Sequence, residues 1–225
     1  MAVVKETDKV VILHASNGRE MARHTFASPV IAATLAPNGC CVAVAEKSGD
    51  MSVWQLRNWR PMASAKLGQA IEDVRFDRQG RRVLARSKRS LVIFDAATGR
   101  HLARIDSDAD IKAADFDPSG RYVAVGDADR NAWLYDTEQQ QRIASLRHDA
   151  EVVSVAFSHD GRRVLSGGDR SDRTARVWLW QTDDLVKELC SRLGRDLTRS
   201  EWAQYLPGEP YRSTCSPNRL VKAPS

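Results

Sequence analysis

The chain has 225 residues, of which 42% are hydrophobic and 28% are charged, and its formal net charge is +5. No run approaches the roughly 18 consecutive apolar residues that a membrane span requires. The first residues, MAVVKETDKVVILHAS, interleave apolar and charged positions, which excludes a signal peptide. We therefore expect a soluble, cytoplasmic chain of one or two domains that does not insert into a membrane.

The four cysteines do not form a recognisable metal or redox motif. Cys40 and Cys41 are adjacent, whereas Cys190 and Cys215 each stand alone, and no pair has the CxxC spacing of a zinc site. We expect reduced thiols, no metal ion and no cofactor.

A turn motif recurs along the first 180 residues. It reads LAPNGCCVAV, FDRQGRRVLA, FDPSGRYVAV and FSHDGRRVLS, and its glycines are separated by 41, 40 and 41 residues. Each glycine follows a large apolar residue by four positions. The pairs are Leu35 with Gly39, Phe76 with Gly80, Phe116 with Gly120 and Phe157 with Gly161.

A second landmark, a bulky residue that closes an alternating run, has the same period. Its positions are Leu13, Trp54, Phe94, Tyr135 and Trp178. Between the landmarks lie short β-branched runs and NG, SG or DG turns, which indicate hairpin-linked antiparallel strands. A period of about forty residues with four short strands is typical of a β-propeller blade.

The last repeat, RHDAEVVSVAFSHDGRRVLSGGDRSDRTARVW, resembles the WD-repeat family. The resemblance implies that His148, Ser166, Asp172 and Trp178 form the hydrogen-bonded tetrad that stabilises a WD-repeat blade, which is a structural and not a catalytic role. Earlier repeats have Ser107, Leu67 and Phe26 where the histidine would stand, so we expect those blades to rely on apolar packing.

The repeat alignment predicts where the blades begin and end. Residue 2 falls inside the second strand of a blade, residues 30–66, 71–105 and 110–147 form three complete blades, and residues 151–180 supply three strands of a last one. We expect an all-β WD-repeat propeller of about four and a half blades over residues 1–180, forming part of a larger propeller. The incomplete blades suggest self-association through their exposed edges.

Helical periodicity begins after the last repeat, and residues 181–225 are predicted to form a short helical tail packed on the propeller. TDDLVKELCSRLG predicts an amphipathic helix with Thr182 as N-cap and Gly194 as its end. TRSE predicts a capping box of Thr198 and Glu201 before a second helix that Pro207 ends. The aromatic residues Trp202, Tyr205 and Tyr211 are predicted to anchor the tail.

The tail segment LTRSEWAQYLPGEPYRSTC resembles the region that follows the propeller in bacterial STAND-type NTPase signalling proteins. In those proteins a propeller senses a ligand for an upstream switch. This resemblance implies a C-terminal sensor or scaffold. The chain itself contains no GxxxxGK[ST] phosphate loop.

We therefore predict a non-enzymatic scaffold that binds a protein partner or a ligand on the propeller face. One alternative is a propeller-based enzyme or enzyme subunit of the hydrolase type, which would require His148, Ser166 and Asp172 to act as a catalytic group. Another is a weak nucleic-acid binder, because DRQGRRVLARSKR concentrates basic residues. We disfavour this second alternative, since the two turns that carry those residues lie at opposite rims of the predicted blade.

Overall fold

The computed structural model describes residues 1–193, 195–213 and 215. The chain divides into two compact units, Met1–Trp178 and Leu179–Ser225. The first unit is built from β-strands and turns, and the second contains the helices of the described chain.

The strands follow one another along the chain without an intervening helix. In order they are β1 (Ala2–Lys5), β2 (Lys9–Leu13), β3 (Glu20–Thr25), β4 (Val30–Leu35), β5 (Cys41–Glu46), β6 (Asp50–Gln55), β7 (Arg60–Lys66), β8 (Ile71–Phe76), β9 (Arg82–Ser87), β10 (Ser90–Asp95), β11 (His101–Asp106), β12 (Ile111–Phe116), β13 (Tyr122–Asp127), β14 (Asn131–Asp136), β15 (Gln141–Arg147), β16 (Val152–Phe157), β17 (Arg163–Gly168) and β18 (Ala175–Leu179).

These strands form five meandering sheets. Three sheets have four strands, in the orders β4-β5-β6-β7, β11-β10-β9-β8 and β12-β13-β14-β15. The first sheet has the order β1-β2-β3 and the last has the order β16-β17-β18. The predicted all-β propeller architecture is confirmed, including three complete blades flanked by two three-stranded sheets. By the repeat alignment, β1 to β3 correspond to the second, third and fourth strands of a complete sheet.

The repeated glycines form the turn between the first and second strands of four sheets. Gly39, Gly80, Gly120 and Gly161 have φ values of 71°, 69°, 76° and 70°. This left-handed region carries no steric penalty for glycine, which explains why the residue recurs with the period of the fold.

Each apolar core lies between two consecutive sheets. The cluster between the second and third sheets contains Val53, Val74 and Val83, and the cluster between the third and fourth contains Ile93 and Trp133. Further along, β12 and β13 contact β16 of the last sheet. A sheet with two apolar faces therefore buries each of them only against a neighbouring sheet.

The second unit contains the helices α1 (Thr182–Leu193) and α2 (Arg199–Tyr205). The predicted N-cap is wrong by one residue: Thr182 is the first residue of α1, and the Gln181 carbonyl accepts the first helical hydrogen bond, from the Leu185 N–H. Gly194, the predicted end, lies outside the described residues. The predicted capping box at α2 is confirmed: the Glu201 N–H donates to the Thr198 hydroxyl and the Thr198 N–H donates to the Glu201 carboxylate. Neither helix of the described chain is long and apolar enough to cross a membrane.

The prediction of reduced thiols is wrong for this structure. A disulfide joins Cys190 of α1 to Cys215 with their Cα atoms 5.3 Å apart, and a second disulfide joins the adjacent residues Cys40 and Cys41. The separation of Cys190 and Cys215 in the sequence does not predict their disulfide, because the turn after α2 brings the two residues together. Asp196 also holds the segment after α2 close to the start of the helix by accepting hydrogen bonds from the Ser213 hydroxyl at 2.5 Å and the Cys215 N–H at 2.6 Å.

Two glycines at the same repeat position provide a test of sheet-to-sheet packing. A Cβ at Gly126 would lie 2.6 Å from the Val152 carbonyl oxygen of the next sheet, whereas at Gly167 it would first meet the Ser154 Cβ at 3.5 Å. We expect Gly126→Ala to lower the free energy of unfolding by about 1–3 kcal/mol through overpacking. Gly167→Ala should leave it unchanged or raise it slightly, because alanine costs less backbone entropy. Urea unfolding of both variants measures the difference, and equal destabilisation would contradict the packing.

The capping box of α2 provides a pH-dependent test. The Arg195 guanidinium, followed by hydrogen bonds from Thr198, lowers the pKa of Glu201 to about 2. A depressed carboxyl pKa stabilises the fold fully above the pKa of the unfolded chain, and the contribution is lost as pH falls from about 4.5 towards 2. We expect a carboxyl ¹³C titration by NMR to place the Glu201 midpoint near 2. Arg195→Gln should raise it, and an unchanged midpoint in that variant would contradict the assigned cause.

Candidate functional site

The structure brings the four residues of the predicted tetrad together in the last sheet. The Ser166 hydroxyl lies 2.6 Å from His148 Nε2 and accepts a hydrogen bond from the Trp178 indole N–H at 2.7 Å. On the other side of the imidazole, His148 Nδ1 lies 3.1 Å from Asp172 Oδ2. We assign the proton to Nδ1, because the Ser166 hydroxyl then donates to Nε2 while it accepts from Trp178.

Short local segments position these side chains. His148 follows β15, Ser166 lies in β17, Trp178 lies in β18, and Asp172 lies in the turn between β17 and β18. Hydrogen bonds from the Thr174 hydroxyl and then from His148 hold the pKa of Asp172 below its usual range. The carboxylate therefore stays ionised and fixes the imidazole tautomer at neutral pH.

The sequence of hydrogen-bond contacts from Asp172 to His148 to Ser166 is also that of a hydrolytic triad. Ser166, however, has 0% of its surface exposed and His148 only 2%. The Ser166 oxygen already accepts the Trp178 N–H, so no substrate carbonyl can approach it while the sheet is intact. This arrangement satisfies buried polar groups, and its role as a structural tetrad remains a prediction.

Earlier sheets satisfy polar groups in ways that the sequence reading missed. The Trp133 indole N–H donates to Asp127 at 3.0 Å, and the Trp54 indole N–H donates to Ser52 at 2.7 Å. Phe26 does pack in the cluster of the first two sheets. A tryptophan N–H in the third strand of a sheet was the available signal, since such a donor requires an acceptor once it is buried.

A cavity of about 460 Å³ opens beside the first strands of three sheets. We call it the first-strand cavity, and its lining includes Leu35 and Phe76 together with the charged residues Asp73, Arg75 and Asp115. The Arg75 Nε lies 3.0 Å from Asp73 Oδ2, and its Nη1 lies 3.9 Å from Asp115 Oδ1. A single guanidinium thus lies between two carboxylates.

Asp115 is the less well compensated of the two acids. Burial raises the pKa of its carboxyl, against the opposing effects of the Phe157 N–H, which donates at 3.3 Å, and of Arg75. A carboxylate in this position gains from the approach of another cation. Sequence reasoning missed the cavity, because its charged residues belong to different repeats and meet only through the packing of sheets.

The basic segment between β8 and β10 does not form one free patch. Lys88 and Arg89 pair with Asp110, at 3.3 Å and 3.2 Å. Arg86 pairs with Glu72, and Arg78 donates to the His159 carbonyl at 3.0 Å. Most of the positive charge that motivated the nucleic-acid alternative is therefore engaged within the chain.

The predicted tail anchors have different environments. Trp202 is 3% exposed, donates its indole N–H to the Glu209 carbonyl at 2.9 Å and contacts the Tyr211 ring edge-on. Tyr211 also donates its hydroxyl to the Leu197 carbonyl at 3.0 Å. Tyr205 is 66% exposed. Trp202 and Tyr211 thus stabilise the fold of the second unit itself, and the docking of this unit on the propeller remains a prediction.

Comparison with known proteins supports the repeat assignment. Residues 99–136 and 140–178 match the WD domain, G-beta repeat. Each match starts just before the fourth strand of one sheet and ends in the third strand of the next, so each repeat unit links two sheets. Together with the five antiparallel sheets, these matches show a WD-repeat propeller fold with a short helical tail.

Similar curated proteins include the protein LST8 homolog of Drosophila melanogaster, which is 31% identical over 113 residues, 45% of this chain and 34% of that protein. WD repeat-containing protein 1-A of Xenopus laevis is 26% identical over 83 residues, 36% of this chain and 14% of that protein. WD repeat-containing protein 1 of Rattus norvegicus is 27% identical over 82 residues, 35% of this chain and 14% of that protein. The matches thus cover between a seventh and a third of these relatives.

Ser166→Ala tests the contribution of the tetrad. Removing the hydroxyl leaves the Trp178 N–H and His148 Nε2 without their shared partner, so we expect a loss of about 1–3 kcal/mol in the free energy of unfolding. Ser154→Ala removes an exposed hydroxyl of the same sheet and should change it by less than about 0.5 kcal/mol. Urea unfolding compares the two variants.

A fluorophosphonate probe provides the matching test for hydrolase chemistry. Intact protein should show no covalent adduct on Ser166 by mass spectrometry. Labelling of Ser166 in the folded protein would contradict the structural role.

Proposed function

We propose that this chain is a non-enzymatic protein-interaction scaffold whose first-strand cavity binds a basic side chain of a partner protein. The observation that supports this proposal most directly is the charge balance of Asp73, Arg75 and Asp115, with two carboxylates and one guanidinium in an open cavity. WD-repeat relatives support a scaffold role.

The sign of the local charge favours a cationic partner. The side chains of Asp73, Arg75 and Asp115 together carry a formal charge of −1, although the whole chain carries +5. Arg75 lies 3.0 Å from Asp73 but 3.9 Å from Asp115, so the half-buried Asp115 carboxylate has the weaker of the two ion pairs. A lysine or arginine side chain that entered the cavity would supply one and would displace little favourable solvation, since Asp115 is already partly buried.

The apolar part of the cavity favours a side chain with a long aliphatic stem. Leu35, Val74 and Phe76 line the cavity together with the charged groups. Lysine and arginine place methylene groups against apolar surface and a charged head at the polar end. The cavity therefore has the two features that such a side chain requires.

We further propose that the chain acts in bacterial signalling as a C-terminal, cytoplasmic sensor for a ligand or partner protein. This proposal rests on the resemblance of the tail segment LTRSEWAQYLPGEPYRSTC to the region after STAND-type propellers. The relatives described above come from eukaryotes, so the signalling context depends on the tail alone.

Four pentapeptides that differ only in their central residue test the cavity. They carry arginine, lysine, citrulline or glutamate, and binding is followed by NMR chemical-shift titration. We expect saturable shifts at Asp73, Arg75 and Asp115 with the arginine or lysine peptide. The citrulline and glutamate peptides should bind at least about tenfold more weakly, because each lacks the charged hydrogen-bond donor.

Asp115→Asn and Asp129→Asn form a matched pair of variants. The amide at position 115 keeps the shape of the side chain but removes its charge, so affinity for the cationic peptide should fall by roughly tenfold or more. Asp129 is an exposed residue in the turn between β13 and β14 and its replacement should have no effect. Equal binding by the two variants, or tighter binding of the glutamate peptide, would contradict the proposal.

A further inference from the structure

A second cavity, with a volume of about 300 Å³, lies between the third and fourth sheets. The third sheet contributes Arg82 at the start of β9, Ile93 in β10 and Leu102 in β11. The fourth sheet contributes the turn between β14 and β15, with Thr137, Glu138 and Gln140. We call this space the Gln140 cavity, and it shares no lining residue with the first-strand cavity.

Gln140 occupies a position that recurs in the turn between the third and fourth strands of a sheet. The equivalent residues are Gly18, Trp59 and Gly99, and the separations along the chain are 41, 40 and 41 residues. All four have a left-handed backbone, with φ values of 68°, 51°, 71° and 53° in chain order. This conformation is uncommon for residues other than glycine. Trp59 and Gln140 are therefore the two places where a side chain replaces the glycine of this turn.

Between the second and third sheets the turn packs directly on the strand that faces it. A Cβ at Gly99 would lie 3.2 Å from the Ala63 Cβ and 3.3 Å from the Ser64 carbonyl oxygen, both in β7. A side chain at position 99 would therefore have to displace the fourth strand of the preceding sheet. The backbone alone closes the space between these two sheets.

Between the first and second sheets the indole of Trp59 fills the equivalent space. The ring stacks on His24 of β3, with the two ring centroids 4.9 Å apart and the two planes at 16°. It also packs against the apolar cluster that contains Ile12 and Leu56. Ile12 is the repeat equivalent of Ile93 and Leu56 is the repeat equivalent of Thr137. A planar aromatic ring is thus the group that this protein places between two sheets at this position.

Between the third and fourth sheets neither arrangement occurs. Gln140 is exposed, and the space beside it stays open as the Gln140 cavity. Pockets that bind small molecules have volumes of roughly 300–1,000 Å³. A cavity at the lower end of this range suits one ring-sized side chain and not a larger ligand.

The polar groups around the cavity complement an indole. Arg82 Nη1 donates to the Gly120 carbonyl at 2.6 Å and to the Thr137 hydroxyl at 3.2 Å, so its guanidinium is held in place. Arg82 Nη2 lies 4.0 Å from the Glu138 carboxylate, which is 55% exposed. A guanidinium binds the face of an aromatic ring, with tryptophan preferred. An indole N–H requires an acceptor when it is buried, and a carboxylate is one.

We infer that the Gln140 cavity binds the indole of a tryptophan side chain from a partner protein. The ring would pack against Leu102 and the Arg82 guanidinium, and its N–H would donate to the Glu138 carboxylate. Trp59 provides the precedent for this contact within the chain itself. The inference does not depend on the charge of the first-strand cavity or on the partner proposed for it.

Three capped pentapeptides test this inference on the full chain. Each has glycine at its outer positions and tryptophan, 1-methyltryptophan or leucine at its centre, and binding is followed by NMR chemical-shift titration. We expect saturable shifts at Leu102 and Gln140 with the tryptophan peptide. The leucine peptide should bind at least about threefold more weakly, because it lacks the ring that Arg82 contacts. The 1-methyltryptophan peptide should also bind at least about threefold more weakly, because it lacks the N–H donor.

Gln140→Trp and Gln139→Trp form the matched pair of variants for this cavity. Both glutamines are exposed and adjacent, but only Gln140 lines the cavity. Gln140→Trp should weaken binding of the tryptophan peptide at least about tenfold, because its own indole would occupy the space as Trp59 does. Gln139→Trp should leave binding unchanged.

Arg82→Gln tests the cation separately. It should weaken binding of the tryptophan peptide at least about threefold, because it removes the charge that attracts the ring. Asp115→Asn should leave binding of this peptide unchanged. Thermal unfolding and circular dichroism verify that each variant is folded.

Three results would overturn the inference: no saturable shifts at Leu102 and Gln140, equal binding of the leucine peptide, or equal binding by the Gln140→Trp variant. Self-association that is lost in Gln140→Trp and kept in Gln139→Trp, measured by light scattering, would assign the cavity to a second copy of the chain and contradict a separate partner. None of these results bears on the first-strand cavity, whose test uses the arginine peptide and Asp115→Asn.

Discussion

Consecutive sheets of the first unit bury apolar faces against each other, and each apolar core described above lies between two sheets. This constraint requires consecutive sheets to present matched faces at a constant spacing. Val53, Ile93 and Leu134 satisfy it by complete burial, and Gly126 satisfies it by allowing the Val152 carbonyl to approach. The period of about forty residues is the sequence consequence of this packing.

The same constraint determines how polar groups are arranged. Once two sheets pack, a tryptophan N–H near their contact loses water and requires an acceptor. Ser52 supplies it for Trp54, Asp127 for Trp133, and Ser166 for Trp178. The acceptor differs from sheet to sheet, which is consistent with repeats that lack a histidine at the position of His148 keeping the same architecture.

Local patterns predicted most of the fold, because strand alternation, turn glycines and helix caps act over a few residues. The capping box of Thr198 and Glu201 spans only four residues, and the structure contains it. The Cys190–Cys215 disulfide and the first-strand cavity could not be predicted in this way. Both depend on residues far apart in sequence, and Arg75 and Asp115 meet only because successive sheets bring their first strands together.

Burial separates chemistry that stabilises the chain from chemistry available to a partner. His148, Ser166 and Asp172 have the order of a catalytic group, but the packing that aligns them also removes Ser166 from solvent. Asp115 has the opposite property, because its carboxylate lies in an open cavity at the first strand of its sheet. The same packing of sheets thus removes one set of polar groups from solvent and leaves another within reach of a partner.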